Sequence, residues 1–313
     1  MPEKRIDIYP LNRREVKVVP TGERFSARPE FSDFIDSQWE ANRKGWDNGF
    51  IPLVSRFALG EHTAAIEAGV MNYKQTSGWL DAIKAGSPKV PQFINNMSIG
   101  VIPVTSDGYV MATRRNPNMH GGGVWNFNGG YMTSRLIDKP DCANPKYTTD
   151  ARLFNPHDQL NLRIHGQEFF GLGEKDPSPA DYPSALAIGF YHSLEPELGW
   201  PVVFKQDKKQ MEEALRETKE HTRADFIPID ELSTLVRNQA ALLNEVPRKY
   251  DTGDPRQIIL LDDNIGELIG GAYKEITGQD FNPSILEDLR RGGLQINMQD
   301  TSAGRSYTFP TSF

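Results

Sequence analysis

The chain alternates between compact apolar runs and polar stretches rich in turn formers, and the period of each run assigns its element. The clearest pair lies at the centre. Ile99 to Val104 (IGVIPV) and Tyr109 to Thr113 (YVMAT) flank Ser106-Asp107-Gly108, a turn signal, so the spacing predicts a β-hairpin. Arg114 and Arg115 stand at its exit. Turn formers fill Asn116 to Gly123, and Val124 to Gly130 (VWNFNGG) reads as a short strand running into a glycine pair. Asn155-Pro156 is a helix start, an N-cap side chain followed by a proline where no N–H is needed; the helix should run from about Pro156 to Phe170 and stop at Gly171. Pro183 to His192 and Trp200 to Lys205 read as strands and Gln210 to His221 as a charged helix. Phe226 to Ile229 is a short strand or turn leading to a helix from Asp230 to Leu243. Ile258 to Leu261 and Ile265 to Ile276 give a strand or helix start and a helix, and the tail from Ala303 reads as frayed.

Upstream, residues 1 to about 30 are polar and rich in charge and proline, which suits an irregular lead-in or short strands. Phe34, Ile35, Trp39 and Ala41, with Ser32 as an N-cap, predict an amphipathic helix between Ser32 and Trp46. Ile51 to Leu59 reads as a strand and Thr76 to Ala85 as a helix. The expected organisation is an α+β N-terminal extension over 1–96, an α/β domain over 97–250, and a helical segment over 251–313 that completes it.

Composition narrows this picture only a little. A chain of 313 residues with 38% hydrophobic and 10% aromatic positions can bury a core. A net charge of -7 argues against a protein that neutralises nucleic-acid phosphates over a broad surface, while leaving room for a local basic pocket. The single cysteine, Cys142, allows no intrachain disulfide, shows no nucleophile pattern and fits a reducing cytoplasm. The first residues lack a signal peptide's apolar stretch, and no run approaches the ~20 apolar residues that span a bilayer. A cytoplasmic protein without a membrane partner is expected.

The stretch Ile99 to Gly130 resembles the start of the Nudix hydrolase fold: the hairpin, Arg114-Arg115 at its exit, then Trp125-x-Phe127-x-Gly129-Gly130. Where that family has a proline before the glycines, this chain has Asn128. The Trp200-Pro-Val-Val-Phe204 strand, the acidic helix after it and Phe226-Ile-Pro-Ile-Asp-Glu-Leu232 continue the likeness, which covers roughly residues 97 to 245. The resemblance implies a mixed sheet between helices in the Nudix manner. The family box, G-x5-E-x7-R-E-U-x-E-E-x-G-U, is degenerate here. Counting from Gly130, its first glutamate falls on Leu136, and the box resumes after an insertion. Anchored on Gly171-Leu172, it places His165 and Glu168 at two metal-ligand positions and Phe169 at the third. With one extra residue it aligns Arg163 with the family arginine and Gln167-Glu168 with the paired glutamates. Both registers keep Glu168. Trp39, Arg56-Phe57 and Tyr73 are similar to landmarks of the branch that hydrolyses UDP-sugars.

The resemblance implies a divalent cofactor, Mg2+ or Mn2+, held by Glu168, His165 and Gln167, and a small nucleoside diphosphate derivative as ligand. Mg2+ prefers oxygen ligands, so a face of His157, Asn161, His165 and Glu168 is a poor site for it, and a solvated polar helix face competes with the metal reading. Glu213, Glu217 and Glu220 share one helical face and could lend a catalytic base; as a bland alternative they pair in solvent with Lys209, Arg216 and Lys219. Arg114 and Arg115 suit phosphate oxygens, since a guanidinium is a two-pronged donor. Trp125 stacks on a base or belongs to the core, and Gly129-Gly130 serves a backbone bend next to the substrate. The three glycines after His120 match no phosphate-loop fingerprint. Two functions follow: a hydrolase of a nucleoside diphosphate linked to another moiety, a nucleotide-sugar first, or an inactive Nudix-like module that binds a nucleotide or a protein.

Overall fold

The computed structural model describes residues 5–11, 14–42, 48–84, 95–116, 125–126, 129–133, 149–165, 178–179, 185–190, 194–215, 221–228, 295–298 and 302–309. It is a mixed α/β structure with two mixed sheets. In chain order its elements are β1 (Arg5–Pro10), β2 (Glu15–Arg24), α1 (Ser32–Asn42), β3 (Phe50–Leu59), β4 (Thr63–Asn72), α2 (Tyr73–Lys84), β5 (Ser98–Val104) and β6 (Tyr109–Arg115). There follow β7 (Trp125–Asn126), β8 (Gly129–Tyr131), α3 (Pro156–His165), β9 (Ser178–Pro179), β10 (Ala185–Phe190) and β11 (Leu194–Val203). The last are α4 (Lys208–Leu215), β12 (His221–Pro228), β13 (Gln295–Met298) and β14 (Ser306–Thr308).

The large sheet runs β12-β6-β5-β11-β10-β1-β13, and the small one β14-β3-β4-β2. In the large sheet β5 lies parallel to β11 and β1 parallel to β13, with the other pairs antiparallel. The predicted central hairpin is present. Gly108 takes a φ of 86°, which a side chain strongly disfavours, and its N–H donates to the Thr105 carbonyl at 3.1 Å. The two sheets share one core: Val16, Phe50, Phe57 and Ile66 of the small sheet are buried in the same cluster as Ile99, Val101, Met111 and Trp200 of the large one. A second cluster, Phe31, Ile35, Leu53, Met71, Trp79 and Ala82, seats α1 and α2 against the small sheet. Trp39 and Tyr73 meet edge to face there with ring centroids 6.0 Å apart, while Phe57 is fully buried and Arg56 reaches Glu67 at 3.2 Å on the exposed side.

Several sequence expectations change. Residues read as an irregular lead-in or short strands form β1 and the ten-residue β2, whose Val16 and Val18 turn inward. The tail expected to fray instead pairs β14 with β3. Tyr307 stacks on Phe57 and packs edge-on against Tyr9, and Phe309 is buried, so aromatic burial holds the segment. The helix expected to reach His221 does not, since His221 opens β12 and faces Arg115 of β6. In 251–313 the described segments are β13 and β14, both strands; the expected elements at 258–261 and 265–276 lie outside the described residues, as does the helix expected at 230–243. Among the described residues, no helix is long and apolar enough to cross a membrane.

Candidate functional site

The central hairpin opens. β5 and β6 pair through Val104 and Val110 beside the turn. Beyond that point β6 pairs with β7, Thr113 facing Asn126 and Arg114 facing Trp125, whereas β5 pairs with β8, Ser98 facing Tyr131 and Gly100 facing Gly129. On their outer edges β5 is held by β11 and β6 by β12. Two short strands thus fill a fork between two long ones. Because β5 and β6 run in opposite directions, β7 and β8 do too.

Helix α3 lies against this fork. Asn155 caps it: its Oδ1 accepts from the N–H of His157 at 3.0 Å and of Asp158 at 3.3 Å, and Pro156 follows at the first helical position, as the sequence predicts. Leu160 and Ile164, one turn apart, are buried in the shared core. One residue before each stands a polar side chain, Gln159 and Arg163, also one turn apart. Gln159 is 1% exposed, and Arg163 donates from its guanidinium to the Tyr131 carbonyl. That guanidinium lies directly over Gly130: a Cβ built there would stand 2.6 to 2.9 Å from its Nη1, Nη2 and Cζ atoms. Glycine at 130 is therefore a requirement of close approach rather than of a left-handed turn. The result is a half-buried guanidinium seated on the main chain of the fork.

The remaining sequence-named residues fall into three groups. His157 and Asn161 occupy the exposed side of α3, His157 leaning edge-on against buried Trp200 with ring centroids 5.0 Å apart. Glu213 is exposed on α4, beside exposed Glu212. That helix is capped by Asp207, whose Oδ1 accepts from Gln210 N–H at 2.8 Å, and by Asp107 of the hairpin turn, which accepts from Lys208 N–H at 2.9 Å. Arg114, Arg115 and Trp125 are placed by main chain alone, in the fork, their side chains lying outside the described set; so does the His165 side chain at the end of α3. Gln167, Glu168 and Glu217 lie outside the described residues altogether.

Fit to a divalent ion can be judged on what α3 offers. Its described exposed stripe supplies His157 and Asn161 and no carboxylate, and among the described residues no group of three His, Cys, Asp or Glu side chains could hold a metal ion. These residues alone do not fit a hard cation. Sequence reading missed Gln159. Its signal was a polar residue within the Pro156–Leu160–Ile164 apolar face, four positions before Arg163.

No protein-family model matches the chain, and no curated protein matches it either. Solved structures give loose similarities. A Nudix hydrolase from M. smegmatis, RenU, superposes over 48% of this chain and 89% of its own at 13% identity and a TM-score of 0.24. A bifunctional NMN adenylyltransferase/ADP ribose pyrophosphatase from Francisella tularensis superposes over 49% of this chain and 39% of its own, at 13% identity and a TM-score of 0.22. The same enzyme complexed with AMP and a manganese ion gives a TM-score of 0.21. Superpositions this loose assign neither fold nor family, and the site stands on this chain's own residues.

Proposed function

We propose that the fork is a diphosphate site and that the chain hydrolyses a nucleoside diphosphate linked to another moiety, a nucleotide-sugar first among candidates. The observation that carries this reading is the Arg163 guanidinium laid on Gly130 in the fork where β6 pairs Arg114 with Trp125 of β7; Arg115 is the next residue of that strand. In the reaction, water attacks one phosphorus of the anhydride, the bond to the bridging oxygen breaks, and a nucleoside monophosphate leaves beside the second phosphorylated product. Arginine charge offsets the negative charge that grows on the phosphate oxygens. Glu213 or Glu217 is the proposed acceptor of the water proton, and Glu213 is exposed on α4. Glu168, with His165 and Gln167, would hold Mg2+ or Mn2+ if one binds, an ion that would neutralise phosphate charge. Trp125, Gly129 and Gly130 are the further residues proposed to contact the substrate.

The test is incubation with nucleotide-sugars and dinucleotides in Mg2+ or Mn2+, comparing wild type with Glu168→Gln and Glu213→Gln. Turnover that Glu168→Gln cuts about a hundredfold supports the assignment. Turnover indifferent to Glu168→Gln removes Glu168 from the site. A second reading, a non-hydrolytic module that binds a nucleotide, is supported by the box positions where Leu136 and, depending on register, His165 or Phe169 stand in place of carboxylates. Binding without turnover would select it.

A further inference from the structure

Gln159 has no part in the proposed reaction, yet both ends of its amide are bonded at the fork. Its Oε1 accepts from the Thr133 N–H at 2.9 Å, and its Nε2 donates to the Thr133 carbonyl at 2.8 Å. The same Nε2 stands 3.3 Å from the Arg152 carbonyl and 3.4 Å from the Leu153 carbonyl. One buried amide therefore reads both main-chain groups of a single residue and, with its other proton, the turn that enters α3. Neither an aliphatic nor an ionised side chain can do this: the first has no polar atoms and a carboxylate only accepts.

The spacing is informative. Gln159 holds Thr133 and Arg163 holds Tyr131, so four residues of helix match two residues of extended chain, in opposite directions. Four helical residues rise about 6 Å, and two extended residues about 6.6 Å. The two attachments fit one rigid register of α3 along the chain leaving β8, and a slip of the helix breaks both. Each attachment contributes something different. Arg163 brings charge to Gly130 at the end of a long side chain. Gln159 is short, buried and satisfied, and it fixes the helix from which Arg163 extends.

We propose that Gln159 is a positioning residue that sets the register of α3 on the fork and thereby the place of the Arg163 guanidinium. Its effect on ligands rests on the fork being a diphosphate site; the register does not. The experiment compares wild type, Gln159→Leu and Gln159→Glu by amide hydrogen exchange and by calorimetric titration with pyrophosphate. In Gln159→Leu, exchange at the Thr133 amide should quicken at least about tenfold while Val101 in β5 stays protected, and pyrophosphate affinity should fall about tenfold. Gln159→Glu should show the same losses at alkaline pH and reverse them as the pH falls through the pKa of its carboxyl, which burial raises above the ordinary range, because a protonated carboxyl both donates and accepts. That reversal is foreign to a side chain that only fills space, and it decides the matter should Gln159→Leu fail to fold. Unchanged Thr133 exchange overturns the register, and quickened exchange with unchanged pyrophosphate affinity overturns the positioning role. If the wild type binds no pyrophosphate, the diphosphate reading fails instead. The register is then decided by Thr133 exchange and by the Arg163 Nε–H resonance, which Gln159→Leu must shift for the proposal to stand.

Discussion

Two hairpins of this molecule begin alike and end differently. β3 and β4 stay zipped from Phe50–Asn72 to Leu59–Ala64 with one irregularity between Val54 and Arg56. β5 and β6 share one pair beside their turn and then part, admitting β7 and β8. In the closed hairpin the strands satisfy each other's main chain and the side chains go to the core, Val54, Phe57, Ile66 and Ala68 among them. In the open one the inner edges need other partners. They find them in short strands and, through those, in polar side chains of α3, Gln159 and Arg163. A zipped hairpin is finished as a structure; a forked one keeps main chain and charge together where a ligand can use them.

Substitutions in each hairpin should separate these roles. The largest effect is expected from Phe57→Ala in the closed one. Phe57 is fully buried against Tyr9 and Tyr307, and its loss should cost about 3–5 kcal/mol in denaturant titrations. Next is a matched glycine pair. A Cβ on Gly69 would run into the Phe25 ring and stand 2.8 Å from the Glu23 carbonyl, so Gly69→Ala should cost about 1–3 kcal/mol. The three atoms nearest to a Cβ on Gly130 all belong to the end of the Arg163 side chain. Gly130→Ala should therefore lower stability by less than about 1 kcal/mol, yet weaken pyrophosphate binding about tenfold by pushing the guanidinium aside. Equal stability losses at the two glycines would erase the distinction between the hairpins.

Smaller effects calibrate the frame around the fork. Asn155→Ala removes the α3 cap and should cost about 1 kcal/mol by thermal unfolding. Arg56→Ala, which breaks the exposed pair with Glu67 across β3 and β4, should cost no more than about 0.5 kcal/mol and less still at high salt. A loss well above that would mean the closed hairpin depends on surface charge as well as on its core.

Local chemistry made part of this legible. Ser106-Asp107-Gly108 between two apolar runs gave away the central turn, and Asn155-Pro156 the start of α3, because both signals act within a few residues. β4 escaped notice since Ala64, Ala65, Ala68 and Gly69 have weak strand preference; β3 and β2 on either side hold it extended. β14 was hidden by distance, its partner Phe57 lying far back along the chain from Tyr307. The opening of the fork left no local trace either. Gly129-Gly130 reads as a bend, and only the arrival of Arg163 shows what the missing Cβ at position 130 makes room for. Gln159, polar among apolar neighbours, could have been noticed, but its partner Thr133 is fixed by tertiary structure.

The fork, and not the closed hairpin, is the proposed receiver of a diphosphate. Amide NMR during titration with ADP tests it most directly. The account predicts shifts confined to Gly129, Gly130, Tyr131 and Thr133 and to the Arg163 side chain, with the amides of Val54 to Ile66 unmoved. Saturating ADP that leaves the fork resonances in place, or that moves those of β3 and β4 instead, would contradict it.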